Sequence, residues 1–168
     1  ERAAALTRQL LAFGRRQVLR RETVDLDDVV DGMFELLRRT LGESVALEYE
    51  ADPAVGPVDA DPSQLEQVLL NLCVNARDAV AGGGRIRIAL REAVVDERLR
   101  RQRPEVAPGR YAVLAVRDDG HGMAPDVRDR IFEPFFTTKE PGEGTGLGLA
   151  QVYGIVTQNT GFIEVDSA

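Results

Sequence analysis

A single cysteine leaves this chain without an internal disulfide, and Cys73, set among Leu72, Val74 and Ala76 in a helical pattern, reads as a buried, inert thiol. No apolar run approaches the roughly 20 residues needed to span a bilayer, and the first residues lack the pattern of a signal peptide. A basic excess is missing too. The net charge of -7 argues against whole-surface attraction to nucleic acid or anionic lipid, so any anion must be held by a local site. These absences lead to the expectation of a soluble, cytoplasmic chain with no nucleic-acid partner and no membrane contact of its own. The 168 residues suit one core domain plus a small appendage, and the apolar fraction of 43% is ordinary. The pattern begins inside a helix and stops soon after a strand-like run, as expected of a piece of a longer protein that is free to be membrane-anchored elsewhere.

Three ordered segments carry chemistry. The first is Asn71-Leu-Cys-Val-Asn75-Ala-Arg-Asp78, in which an Asn pair one helical turn apart can present two amide oxygens to a hydrated metal ion such as nucleotide-borne Mg²⁺. The second is Asp118-Asp-Gly-His-Gly122, which follows the apolar run Tyr111 to Val116. A carboxylate at a strand end, beside Gly120 and Gly122, can accept a hydrogen bond from an exocyclic amine in a loop that approaches its ligand closely. The third is Gly144-Thr-Gly-Leu-Gly148, where Gly144, Gly146 and Gly148 at a helix start leave backbone N–H groups, Thr145 and Leu147 among them, free to face phosphate. Each alone is weak, since glycine runs mark turns and Asn pairs mark solvated helix faces. In this order they describe an ATP site.

Along the chain, Ala3, Leu6, Leu10, Phe13 and Gln17 step by three and four, the stripe of a helix that packs on another helix. Asp25 caps a second helical pattern with Val29, Val30, Met33, Leu36, Leu37 and Leu41 as its apolar face. Val45 to Glu50 alternates as a strand, and Asp52 to Pro57 is a turn. Asp61-Pro62-Ser63-Gln64 supplies an N-cap, a proline at the first helical position and a capping-box Gln, so a strong helix follows. Its buried stripe is Leu65, Val68, Leu69, Leu72, Ala76 and Ala79, with Asn71, Asn75 and Asp78 on a neighbouring stripe, and Gly82-Gly83-Gly84 ends it. Arg85 to Leu90 and Tyr111 to Val116 are strands, residues 92–109 a solvent-exposed insertion with a basic cluster, Leu147 to Val156 a helix and Phe162 to Val165 a strand. The fold class is α+β, a mixed sheet with helices on one face.

Between the last two segments lies Ile131-Phe-Glu-Pro-Phe-Phe-Thr-Thr-Lys139, and the series resembles the N box, first glycine box, F box and second glycine box of bacterial sensor histidine kinases, hybrid type. The resemblance implies the two-layer Bergerat ATP-binding fold of the gyrase, Hsp90, histidine kinase and MutL superfamily. Residues 1–21 resemble the second helix of a dimerisation and phosphotransfer hairpin, and residues 22–168 the catalytic domain, with its last strand missing. It further implies that Asn75 coordinates Mg²⁺, Asn71 assists at the phosphates, Asp118 recognises adenine, Asp119 is a bystander, and Phe132, Phe135 and Phe136 anchor a mobile lid. Asp78, Gly120, Gly122, Gly144, Thr145, Gly146, Leu147 and Gly148 join the nucleotide-binding set. Lys139 is within reach of a phosphate or is a plain exposed lysine; both readings stay open. His121, the only histidine, is read as a loop residue near the base, because the family's phosphoacceptor sits on the first dimerisation helix.

Related gyrase and Hsp90-type ATPases carry Glu where Asn71 stands, and an amide cannot deprotonate water, which favours transfer to a protein over hydrolysis. The implied partners are ATP, a response-regulator receiver domain and the chain's own dimerisation helix in a homodimer. The alternatives are a related ATPase or serine kinase of the same fold, or a non-enzymatic nucleotide-sensing scaffold. Thr160 replaces a glycine often found before Gly161, which puts the local turn geometry in question.

Overall fold

A computed structural model describes residues 20–102, 104, 106–140 and 142–167. The dimerisation helix expected within residues 1–21 lies outside them, except for Arg20 and Arg21, which are not helical. In chain order the elements are β1 (Glu22–Val24), α1 (Leu26–Leu41), β2 (Val45–Ala51), β3 (Val58–Ala60), α2 (Pro62–Ala79), β4 (Gly84–Val95), α3 (Glu97–Gln102), β5 (Gly109–Asp118), α4 (Pro125–Arg128) and α5 (Gly148–Gln158). The sheet order is β2-β4-β5, with β2 parallel and β5 antiparallel to β4, and β1 pairs with β3 in a separate two-stranded ribbon. The expected mixed sheet with packed helices is therefore present.

Helix α1 begins where the Asp25 carboxylate accepts the Asp27 N–H at 3.0 Å. Asp27 and Asp28 in its first turn and Arg38 and Arg39 in its last complement the helix dipole. Its stripe of Val30, Met33, Leu37 and Leu41 meets Leu69, Cys73 and Ala76 of α2 and Val45, Ile86 and Ile88 of the sheet in one core. A second cluster joins Val68 of α2 to Val152 and Ile155 of α5, with Leu72 and Ile163 packed on it. Helix α2 is therefore apolar on two sides.

Four expectations are corrected. Leu36 is 54% exposed, because the buried stripe of α1 advances from Met33 to Leu37 and turns Leu36 outward. Gln64 does not close a capping box: its side-chain oxygen accepts from Asn159 Nδ2 at 3.3 Å, which ties the start of α2 to the end of α5. Residues 92–109 are a solvent-exposed insertion only in part: 96–98, 101, 104 and 107–109 are exposed, but β4 runs on to Val95 and β5 starts at Gly109, pairing with it. Val95 and Val106 are buried there. Phe162 to Val165 makes no ladder; Phe162 instead meets Tyr111 of β5 edge-on at 5.3 Å.

Asp61 is the one buried charged residue described, and its carboxylate is fully engaged. Oδ1 accepts the Ser63 N–H at 3.0 Å and the Ser63 hydroxyl at 2.6 Å, and Oδ2 accepts the Arg20 N–H at 3.0 Å. These bonds, from Ser63 first and Arg20 next, hold its pKa below the usual carboxylate value. At the other end of the fold α5 closes with a Schellman pattern. Gly161 N–H donates to Val156 O at 2.9 Å and Thr160 N–H to Thr157 O at 3.1 Å, which places Thr160 at the left-handed position with φ 57°. That position favours glycine, and a β-branched residue there is strained.

Two predictions follow from these ends. Asp61→Ala is expected to lower the urea-unfolding free energy at pH 7 by about 1–2 kcal/mol, the range for a lost N-cap. Because the folded-state pKa is depressed, this stabilisation is full above about pH 4 and is lost as the pH falls through the folded value, so the gap between the two proteins should close in acid. Thr160→Gly is expected to raise stability by about 0.5–1 kcal/mol, the strain relieved less the extra chain entropy of glycine; no gain in denaturation midpoint would contradict the strain argument.

Candidate nucleotide site

The polar sector of α2 lies between its two apolar sides. Asn75 Nδ2 donates back to the Asn71 main-chain oxygen at 2.8 Å, which fixes the amide and leaves Oδ1 as its outward-facing acceptor. Asn71 Nδ2 donates to Gln151 Oε1 on α5 at 3.3 Å, and Gln67 Nε2 donates to the same oxygen at 3.3 Å. Both amides are thus oriented by their nitrogens. A Cβ on Gly148 would lie 3.6 Å from Asn75 Nδ2 and 3.7 Å from Asn71 Oδ1, so the first turn of α5 sits directly against the Asn pair. That helix enters with no side-chain cap, which leaves its first-turn N–H groups available to an anion.

Asp118 ends β5. Its Oδ1 accepts the Gly120 N–H at 3.0 Å in a tight local turn, which fixes the plane of the carboxylate. The loop beyond it is pressed onto the end of α2. His121 N–H donates to Ala79 O at 3.2 Å, and a Cβ on Gly120 would fall 2.5 Å from that same oxygen, so residue 120 must be glycine for the loop to dock. Asp119, expected as a bystander, is a clamp: its Oδ1 accepts the Arg85 N–H at 2.7 Å and joins the loop to β4. His121 is exposed, with Nδ1 2.7 Å from Gly122 O. Gly122 adopts φ 67° beyond it.

The segment from Ile131 to Leu147 closes on itself. Phe135 N–H donates to Gly146 O at 2.8 Å, Gly146 has φ 64°, and a Cβ there would lie 2.4 Å from the Phe135 carbonyl carbon. Phe135 itself sits at φ 69°, a strained conformation of the kind that clusters at functional sites, and remains 52% exposed. Phe132 packs on Tyr153 of α5 with centroids 5.4 Å apart, and Arg130 lies 4.3 Å above the Phe136 ring. The expected free amide of Leu147 is corrected: it donates to Thr145 Oγ1 at 3.3 Å, so the α5 first turn, not Leu147, holds the open donors.

Lys139 and Asp78 are paired side chain to side chain, each about one-third exposed or less. Arg77 also donates to Asp78 Oδ1, at 2.7 Å and 3.0 Å. Burial alone would raise the Asp78 pKa, but the bonds and charges of Lys139 and Arg77 outweigh it and hold the carboxyl below its ordinary value. Lys139 is therefore not a plain exposed lysine: its ammonium group is held by Asp78 on α2. Cys73, fully buried behind the same helix, has its thiol pushed up to about 12 by burial, as an inert core sulfhydryl should. Gln67 and Gln151 were not singled out in the sequence; their only signals are spacings of four and three residues from Asn71 and Gly148.

The donor set suits a nucleotide and its metal. No group of three or more His, Cys, Asp or Glu able to hold a metal ion occurs among the described residues, whereas the two fixed amide oxygens suit an ion that arrives with phosphate and water ligands. Among those residues no helix is long and apolar enough to cross a membrane.

Comparison with known proteins agrees with this geometry. Residues 60–168 match the model of the family described as histidine kinase-, DNA gyrase B- and HSP90-like ATPase. The sensor kinase CckA of Brucella abortus is 48% identical over 99% of this chain, which spans 18% of that kinase, and the sensor histidine kinase ZraS of Klebsiella oxytoca is 36% identical over 100% of it, spanning 33% of the relative. The chain thus covers a fifth to a third of the length of these curated relatives. The solved mycobacterial sensor histidine kinase MprB is 31% identical with a TM-score of 0.62, over 83% of this chain and 80% of that one. The chain belongs to the histidine kinase-, DNA gyrase B- and HSP90-like ATPase family, as a catalytic ATP-binding domain of the histidine kinase type.

Proposed function

We propose that this chain is the ATP-binding part of a two-component sensor histidine kinase, which passes the γ-phosphoryl group of Mg·ATP to a histidine on a dimerisation helix and from there to an aspartate on a receiver domain. The observation that carries the reading is the convergence on α2 of three different chemistries. Amide oxygens come from Asn71 and Asn75, open N–H groups from the first turn of α5, and an oriented carboxylate from Asp118. Asp118 would accept the adenine amine in a charge-assisted hydrogen bond. Asn75 would hold Mg²⁺ through Oδ1, Asn71 would lie beside the phosphates, and the α5 first turn would bind phosphate oxygens. Bound Mg·ATP supplies the transferable phosphoryl group and the metal that offsets its charge. ATP as the ligand also supports a cytoplasmic location for this segment.

The identity of residue 71 favours transfer over hydrolysis. An amide, whatever hydrogen bonds it makes, has no basic form with which to activate water. Titration of a non-hydrolysable ATP analogue with Mg²⁺ is expected to show binding that weakens by about 10–100-fold in Asp118→Asn, the loss of one hydrogen bond to a charged group. Asn75→Ala is expected to remove most of the Mg²⁺ dependence of that affinity. Equal affinity of the parent and Asp118→Asn would refute the adenine assignment, and sustained phosphate release from ATP by the chain alone would move the reading to an ATPase.

A further inference from the structure

Lys139 is the sole lysine of this chain; the rest of its 21 Lys and Arg residues are arginines. It sits in the segment between the two glycine-rich motifs. Its ammonium group is held by Asp78, three residues beyond Asn75 and so on the adjacent turn of α2. Other features fit the lysine into that position. Its own N–H donates to Thr137 Oγ1 at 3.2 Å, and a Cβ on Gly144 would lie 3.1 Å from Lys139 Cδ and 2.8 Å from Thr137 Oγ1, so Gly144 leaves the channel through which the side chain passes. Lys139 and Glu143 also line a cavity of about 520 Å³ with Arg77, Asp78, Val80 and Gly83, and neither Asn71 nor Asn75 lines it. The lysine is thus drawn to the side of α2, yet its flexible stem can reach a phosphate set at Asn75, since residues three apart on a helix are neighbours.

On the reading that Asn75 and α5 bind polyphosphate, we propose that Asp78 is a lock for the lid: it holds Lys139 until the anionic polyphosphate takes the ammonium group, so lid release and phosphate recognition share one lysine. Asp78 is then an opponent of nucleotide binding, because its pair with Lys139 must break, which leaves its carboxylate with Arg77 alone and near another anion. A lysine suits this exchange better than an arginine would. Its compact charge carries three rotatable N–H donors and does not commit to a planar bidentate fork with the carboxylate.

The sign of the mutational effect separates this from a role for Asp78 as a plain nucleotide ligand. Asp78→Asn is expected to bind the Mg²⁺-loaded ATP analogue about 5–30-fold more tightly than the parent, the factor that corresponds to an ion pair of one to two kcal/mol. Lys139→Met is expected to bind more weakly, and Asp78→Asn placed on Lys139→Met should give no gain. Selective ¹³C-lysine labelling then gives one side-chain ε-methylene signal, which should differ between the parent and Asp78→Asn without nucleotide and should move to the same position in both on addition of the analogue. Weaker or unchanged affinity in Asp78→Asn, or a lysine signal that the analogue does not move, would overturn the lock. If Asp78→Asn fails to fold, the lysine signal of the parent and the affinity of Lys139→Met still decide. Asp118→Asn serves as the control for the site itself: loss of binding there together with no gain in Asp78→Asn rejects the lock and keeps the nucleotide site, whereas no binding by the parent rejects both.

Discussion

Burial of α2 on two sides is the constraint from which the rest of this structure follows. Leu69, Cys73 and Ala76 face α1 and the sheet, while Val68 and Leu72 face α5, and all come from one helix with 3.6 residues per turn. What remains is a narrow polar sector containing Asn71, Asn75 and Asp78. The helix cannot rotate to hide or displace these side chains without withdrawing apolar surface from one cluster or the other. A fully buried Leu69 or Cys73 fixes rotation more firmly than any polar contact at the site could, because close-packed cores tolerate little displacement. The orientation of the functional amides is a by-product of hydrophobic packing, refined by the Gln151 and Asn71 main-chain bonds.

Two backbone contacts then attach the loops to this fixed helix. The Asp118 loop reaches the C-terminal end of α2 because Gly120 lacks the Cβ that would strike the Ala79 carbonyl, and the segment before α5 folds back because Gly146 lets the chain pass the Phe135 backbone. Both glycines act through what they omit. The Asp118 loop docks at Ala79, at the C-terminal end of α2, while the start of α5 lies against Asn71 and Asn75, one to two turns earlier on the same helix. A long ligand with an amine-bearing ring at one end and phosphates at the other fits that layout, and a short symmetrical one does not.

Much of this was legible in the sequence, and the failures have a common form. Helices α1 and α2 and the Asp61 cap were readable because caps and apolar spacing are local, and the three motifs were readable because their order is rare. The β1–β3 ribbon was missed because three-residue strands carry no periodicity. Residues 92–95 read as loop because Arg91 and Glu92 interrupt the apolar run, although Glu92 pairs with Arg110 across the hairpin and the alternation continues to buried Val95. The Phe162–Val165 run has strand composition but gains no ladder, and composition cannot report an absent partner. The contacts of Asp119, Lys139 and Gln151 were not legible in the sequence, for one reason. Their roles are set by residues 34, 61 and 80 positions away, and no local pattern encodes a contact at that range.

The inventory of titratable groups around the polar sector bears on what kind of chemistry it can support. Asn71 and Asn75 do not titrate, the Cys73 thiol is buried and held protonated, and the Asp78 carboxylate is tied to two cations. Of the carboxylates described there, Asp118 is occupied with its own turn at the far end of the sector. None of these is placed as a free base beside the amide pair. On the proposed function, a site of this composition would bind and orient a phosphoryl donor and offset its charge without supplying a free carboxylate base of its own. The acceptor that would fit such a site is one whose attacking atom is already basic when neutral, as an imidazole nitrogen is, whereas a water or serine oxygen must lose its proton as it attacks. On the proposed function, the lack of a free base beside Asn71 and Asn75 among the described residues would slow hydrolysis without steric exclusion of water and favour an acceptor of the histidine type.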